Sequence, residues 1–193
     1  VSASAFERLD LRTIAPQRWK NGAGLTREIA FGGASAADFD WRLSIAEVAR
    51  DAPFSAFPGV DRCITLLTGT GMRLHSHDAR VDHALTTLFA PFRFPGDVAL
   101  DATLVDGACS DLNVMTRRGR FRSQVDVHGD AATLPAADVS LLWCCAGAWH
   151  IGGETLDPMQ GLLWRTPQDA ITAHPLGAPS ALLHIRLCHD HAP

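Results

Sequence analysis

The apolar residues of this chain fall in short runs, many alternating with polar ones, and Gly, Pro, Asp or Asn cuts nearly every run. No stretch sustains the three-to-four-residue spacing of an amphipathic helix. The clearest run is FDWRLSIAEV (39–48). On a strand it sends Trp41, Leu43 and Ile45 to one face and Arg42, Ser44 and Ala46 to the other. Comparable runs are LTREIAF (25–31), DRCITLLTG (61–69), GMRLH (71–75), LTTLFAPFRFPG (85–96), VALDATLV (98–105), DLNVMTRR (111–118) and RFRSQVDVH (120–128). They continue with VSLLWCCAGAWHI (139–151), QGLLWRTP (160–167) and ALLHIRLC (181–188). About eleven short strands at this spacing predict an all-β sandwich or barrel. A short helical turn is expected in FSAFPGVDR (54–62), and HGDAATLPAAD (128–138) is the expected seam between two halves.

The chain has 193 residues, 47% hydrophobic and 20% charged, enough to bury a core without covalent staples. A net charge of −4 with dispersed arginines argues against a nucleic-acid binder and leaves room for a local anion pocket. Five cysteines (Cys63, Cys109, Cys144, Cys145, Cys188) with no C-x-x-C pair suit reduced, buried thiols. No apolar run approaches the roughly 18 residues of a spanning helix, and the N-terminal residues show no signal-peptide pattern. A cytoplasmic protein without membrane or nucleic-acid partner is expected, with a homodimer as a possible assembly.

Several segments admit two readings. In RWKNGAGLTREI (18–29), the glycines make a permissive turn before a strand whose Thr26 and Glu28 share one face. Lys20 there is either a pocket group or a surface cation. Arg42 and Ser44 face either solvent or a barrel lumen, where they would form an anion-binding pair. In DLNVMTRRG (111–119), Asn113, Met115 and Arg117 share a face. That mixture suits a pocket wall, with core Met115 and a snorkelling Arg117 as the plainer alternative. Cys145 and His150 of WCCAGAWH could approach as a nucleophile pair only across a turn, and the apolar strand argues for inert thiols.

Taken in order, RWKNGAGLTREIA, FDWRLSIAEVARDAPFSAFPGVDRCITLLTGTGMRL, FPGD and DLNVMTRRG resemble the HutD/Ves family, densely over 18–119 and thinly beyond about 125. The family's N-G-G-G is Asn21-Gly22-Ala23-Gly24 here, harmless unless position 23 needs a positive φ. The resemblance implies a cupin architecture, a double-stranded β-helix (jelly-roll) barrel in a bicupin arrangement. The halves would span 8–125 and 126–193. It also implies a cytosolic protein of bacterial histidine utilisation that binds a small carboxylate metabolite such as N-formylglutamate in a regulatory role, without established catalysis, metal or cofactor. Matched by motif, the ligand-binding candidates are Lys20, Asn21, Thr26, Glu28, Arg42, Ser44, Arg62, Asn113, Met115 and Arg117.

RLHSHDARVDHAL (73–85) competes for attention, since His75 and His77 at i and i+2 invite a metal. A metal-binding cupin adds a Glu after three or four residues and a later His near a P-x-G turn. Here Asp82 stands in for the Glu, and Val98 and Ala99 follow FPGD where the His belongs. Two His and one Asp fall short of a usual transition-metal set, which favours a polar loop. Two rival functions fit the same residues. One is a metal-free isomerase or hydrolase using Glu28 or Glu47 with Lys20, and the other is a protein–protein regulator with a vestigial pocket.

Overall fold

The structure is a computed structural model that describes residues 5–190. Among these the chain is all β apart from a single 3-10 turn at Leu11–Thr13. It forms two compact units: residues 14–121, and residues 122–190 together with the N-terminal segment up to Thr13.

β1 (Glu7–Asp10) belongs to the second unit. The first unit follows with β2 (Gln17–Arg18), β3 (Gly24–Gly33), β4 (Phe39–Val48), β5 (Ala52–Phe54), β6 (Val60–Thr68), β7 (Met72–His75), β8 (Asp82–Leu85), β9 (Pro91–Pro95), β10 (Leu100–Leu104) and β11 (Cys109–Arg117). They build a six-stranded sheet in the order β2-β3-β4-β11-β6-β9 and a four-stranded sheet β5-β10-β7-β8. One core cluster draws Val48, Ile64, Leu66 and Phe94 from the first sheet and Phe54, Met72, Leu74, Leu85 and Leu100 from the second, so the sheets face one another.

The second unit contains β12 (Phe121–His128), β13 (Ala132–Leu134), β14 (Val139–Ala146), β15 (Trp149–Ile151), β16 (Glu154–Leu156), β17 (Gln160–Trp164), β18 (Ile171–Pro175) and β19 (Ala181–His189). Its sheets run β1-β17-β14-β19-β12 and β13-β18-β15-β16 around a core that includes Leu142, Trp149, Leu162, Trp164 and Leu182.

Several segments differ from expectation. Residues 54–62 form no helical turn. β5 ends at Phe54, and a turn closed by Val60 N–H to Phe57 O at 3.2 Å leads into β6. The run 85–96 is broken at Phe89, whose φ of 63° belongs to a turn, and 139–151 is broken at Gly147, φ 67°. The segment 128–138 carries β13 inside the second unit, and the division between units falls after Phe121 rather than after 125.

Candidate functional site

The first unit's six-stranded sheet builds a polar wall in rows. Paired residues on neighbouring antiparallel strands point the same way, so cross-strand pairing converts sequence alternation into a surface. Met115 of β11 pairs with Arg42 of β4 and Arg62 of β6, and Asn113 pairs with Ser44 and Ile64. Asp111 continues the face between Ala46 and Leu66. Thr26 and Glu28 of β3 join it opposite Ala46 and Ser44. This wall bounds a cavity of about 580 Å³. Lys20, Asn21, Thr26, Arg42, Ser44, Arg62, Asn113 and Met115 line it, with Phe54 and Phe57 as apolar contacts.

The Trp19–Gly24 loop forms one side of the cavity. Gly22 adopts φ 67° and donates its N–H to Trp19 O at 2.9 Å, while Asn21 Oδ1 accepts Ala23 N–H at 3.0 Å. Ala23 is buried and has no positive φ, so the departure from N-G-G-G is accommodated. Gly24 is required by close approach: a Cβ there would lie 2.4 Å from Glu47 O. Trp19 Nε1–H donates to Thr26 Oγ1 at 2.7 Å, fixing the loop to β3. Arg18, not among the sequence-derived candidates, also lines the cavity. It sits in the same motif as Lys20, one strand pair from Thr26.

Arg62 is 6% exposed. Its Nε and Nη2 both donate to Asn113 Oδ1, at 3.1 and 3.0 Å, and Nη1 donates to Ser55 O at 3.3 Å. The rings of Phe94, Phe57 and Phe54 surround the guanidinium at 4.9, 5.5 and 5.7 Å from their centroids. Such desolvated cation–π contacts are each worth about 1–2 kcal/mol and partly replace lost hydration. Burial still pulls the group down to about 10, opposed by the Asp111 charge, so it stays a cation at neutral pH. Asn113 passes the contact on: its Nδ2 donates to Asp111 Oδ1 at 3.1 Å. Burial pushes the Asp111 carboxyl up to about 7, with Arg62 and Asn113 restraining the rise. The sequence signal for Asp111 was available, since it lies two residues before Asn113 on the same strand face.

Two candidates stand off the cavity lining. Glu28 accepts from Arg42 Nε at 2.8 Å and serves as that arginine's counter-ion. Arg117 keeps the strand face expected of it, but its Nε donates to Phe39 O at 3.0 Å and its guanidinium lies 5.8 Å from the Phe39 ring centroid, beyond the row that meets the cavity. Glu47, the second carboxylate with a possible acid–base role, pairs with Arg27. Among the described residues, the lining holds Arg18, Lys20, Arg42 and Arg62 and no carboxylate, histidine or cysteine. Arg18 and Lys20 carry no side-chain partner among the described residues. Such a surface attracts a small anion, and guanidinium donors meet a carboxylate through paired N–H bonds.

The histidine stretch is dispersed. His75 ends β7, while His77 lies in the following turn with its side chain 92% exposed and Nε2 3.3 Å from Asp101. Asp82 is gripped by Arg73 through two bonds of 2.7 Å. Among the described residues, no three His, Cys, Asp or Glu side chains gather in a metal-holding group. Cys145 and His150 fall in different sheets, and burial pushes the Cys145 thiol up.

The fold and site define an all-β, cupin-like protein with a cationic cavity in its first unit. A cupin 2 conserved barrel domain protein from Leptotrichia buccalis shares the fold at a TM-score of 0.54 and 9% identity, covering 96% of this chain and 97% of its own. The HutD family model matches residues 11–182. Protein Ves of Citrobacter koseri is 41% identical over 160 residues, 82% of this chain and 83% of its own. HutD from Pseudomonas fluorescens SBW25, solved in a formate condition, matches at a TM-score of 0.85 and 25% identity over 97% of this chain and 100% of its own. The chain belongs to the HutD/Ves family. No helix among the described residues is long and apolar enough to cross a membrane.

Proposed function

We propose that this protein binds a small carboxylate metabolite of histidine breakdown, with N-formylglutamate as the leading candidate, and acts in the cytoplasm as a regulator of histidine utilisation. On this reading each unit is a cupin barrel of a bicupin, and the first carries the ligand. The observation that supports it is the cavity lining: four cations and no carboxylate, with Arg42, Ser44, Asn113 and Arg62 on adjacent rows of one sheet. Arg42 and Arg62 would neutralise the carboxylate, Ser44, Thr26 and Asn113 would orient it, and Lys20 and Arg18 would meet a second acidic group.

Charge-assisted hydrogen bonds of about 1.5–3 kcal/mol each place the affinity on the order of micromolar to millimolar, suited to sensing an accumulating intermediate. Calorimetry with N-formylglutamate and the other histidine-pathway intermediates tests this directly. Saturable binding that Arg42→Ala weakens by roughly tenfold to a hundredfold is expected. No binding of any of these carboxylates, or unchanged affinity in the variant, would overturn the proposal. NMR of the same mixtures should show the ligand unaltered, and turnover would move the protein to the metal-free enzyme class.

A further inference from the structure

Asp111 continues the cavity-facing row of β11 past Asn113, outside the cavity lining, and is fully buried, at 0% exposure. Pairing with Ala46 of β4 and Leu66 of β6 turns its side chain to the cavity face of the sheet, in register with Asn113 and Met115. Oδ1 accepts one bond from Asn113, and Oδ2 has no hydrogen-bond partner. A buried, unpartnered oxygen disfavours the ionised acid and is tolerated by the protonated one.

The groups bearing on Asp111 are few. Arg62 of β6 supports the ionised form, and Asn113 of its own strand bonds to it. Cys109, on the same strand, is a thiol that burial holds neutral. Arg42 of β4 acts on Arg62, and Glu28 of β3 is engaged by Arg42. Among the described residues, the strands of the facing sheet contribute no charge that shifts it.

We infer that Asp111 is a positioning residue of the anion site, and that a carboxylate settling against Arg62 places a proton on Asp111. The inference rests on the carboxylate reading of the cavity. Asn113 accepts two N–H bonds from Arg62 and donates one to Asp111, so the Arg62 charge is shared along a three-residue chain. When the cavity is empty, that charge supports the Asp111 carboxylate. An arriving anion draws on the same charge, and Asp111 takes up one proton from solvent. For each molecule whose Asp111 was ionised, the anion and a proton enter together. Binding and protonation are reciprocally linked. Burial sets the ordinary working range of this acid near 7.

The inventory of the cavity isolates the effect. Its lining contains no histidine, cysteine or carboxylate among the described residues. Lysine and arginine stay protonated below about pH 9, and simple carboxylate ligands stay ionised above about pH 5.5.

Calorimetry with N-formylglutamate and separately with formate, at about pH 6, 7 and 8.5 in buffers of different protonation heat, tests the inference. The wild-type protein should take up a fraction of a proton per ligand near neutrality, and its affinity should fall by up to about tenfold per pH unit above 7. Asp111→Asn, a neutral isostere of the protonated acid, should bind with a flat pH profile, no proton uptake and tighter affinity than wild type at pH 8.5. The wild-type proton count decides even if the variant fails to fold. Binding without proton uptake and with pH-independent affinity overturns the inference and leaves the carboxylate site standing, as does a variant with the wild-type slope. No carboxylate binding by the wild type at any pH overturns the site reading and this inference together.

Discussion

Arg42 and Glu28 meet across neighbouring strands, with Nε 2.8 Å from Oε2 and both side chains 19% exposed. The register makes the contact: β3 bulges between Glu28 and Ala30, so Glu28 pairs with Ser44 while Phe31 pairs with Arg42. The extra residue at Ile29 keeps both the acid and the next aromatic on the cavity face. Arg42 therefore reaches the cavity already carrying an acid that any ligand carboxylate must compete with.

Glu28→Gln should tighten carboxylate binding, because it removes that competitor and leaves an amide oxygen to orient the guanidinium. A gain of about threefold to tenfold is expected, against a loss of roughly tenfold to a hundredfold for Arg42→Ala. Isothermal calorimetry on the two variants measures both, and weaker binding by Glu28→Gln would show that the acid itself contacts ligand.

Asn113→Ala should destabilise the first unit more than any substitution at the cavity mouth. It strips the shared acceptor from two Arg62 donors and removes the hydrogen bond that Asp111 Oδ1 accepts. Leaving buried donors unpaired costs about 1–3 kcal/mol per group, so a loss on the order of 3 kcal/mol is expected. Urea denaturation read by tryptophan fluorescence checks it, with Lys20→Ala as the neutral comparison.

The stability contribution of Asp111 has a definite sign. Its folded-state value of about 7 lies above the ordinary 3.8, so the native state holds a proton that the unfolded chain releases between about pH 4 and 7. Stability from this group therefore falls as pH rises through that window and stays reduced above it. The advantage of Asp111→Asn over wild type should grow from small near pH 4 to its full value, a few kcal/mol at most, by about pH 8. Paired urea titrations across that range measure the difference. An advantage that shrinks with rising pH would contradict the assignment.

Thiol reactivity should be ordered by burial. Burial pushes Cys63 and Cys109 up to about 11 and Cys144 up to about 12, and it raises Cys145 further. Thiolate is the attacking species, so these thiols are unreactive at pH 8 in the native fold. An aromatic disulfide reagent should label partly exposed Cys188 first; Cys145, of similar exposure but with its thiolate suppressed, and the three buried thiols should react only on unfolding. Mass mapping of the labelled protein gives the order, and early labelling at Cys145 would revive the nucleophile reading.

Much of the wall was legible because its signal is local. A period of two places Arg42 with Ser44 and Asn113 with Met115 whatever the partners are. The family motifs added Lys20, Asn21 and Arg62, which alternation alone could not select from other polar residues. Arg117 shows the limit of that reasoning: a shared face says nothing of how far along the strand the cavity extends. His75 and His77 show another, since a turn begins between them and ends the shared face.

The sequence by itself determined an all-β chain, the strand faces and the motifs of the family, because alternation and breaker residues act over a few neighbours. Only the tertiary structure decided which rows lie side by side. Arg62 and Asn113 are 51 residues apart, and their meeting depends on the register of β6 against β11. The same register seals Asp111 from water with one oxygen unpartnered. Burial and shared charge are properties of residues brought together from distant strands, so the chemistry of that carboxylate exists only once the sheet has formed.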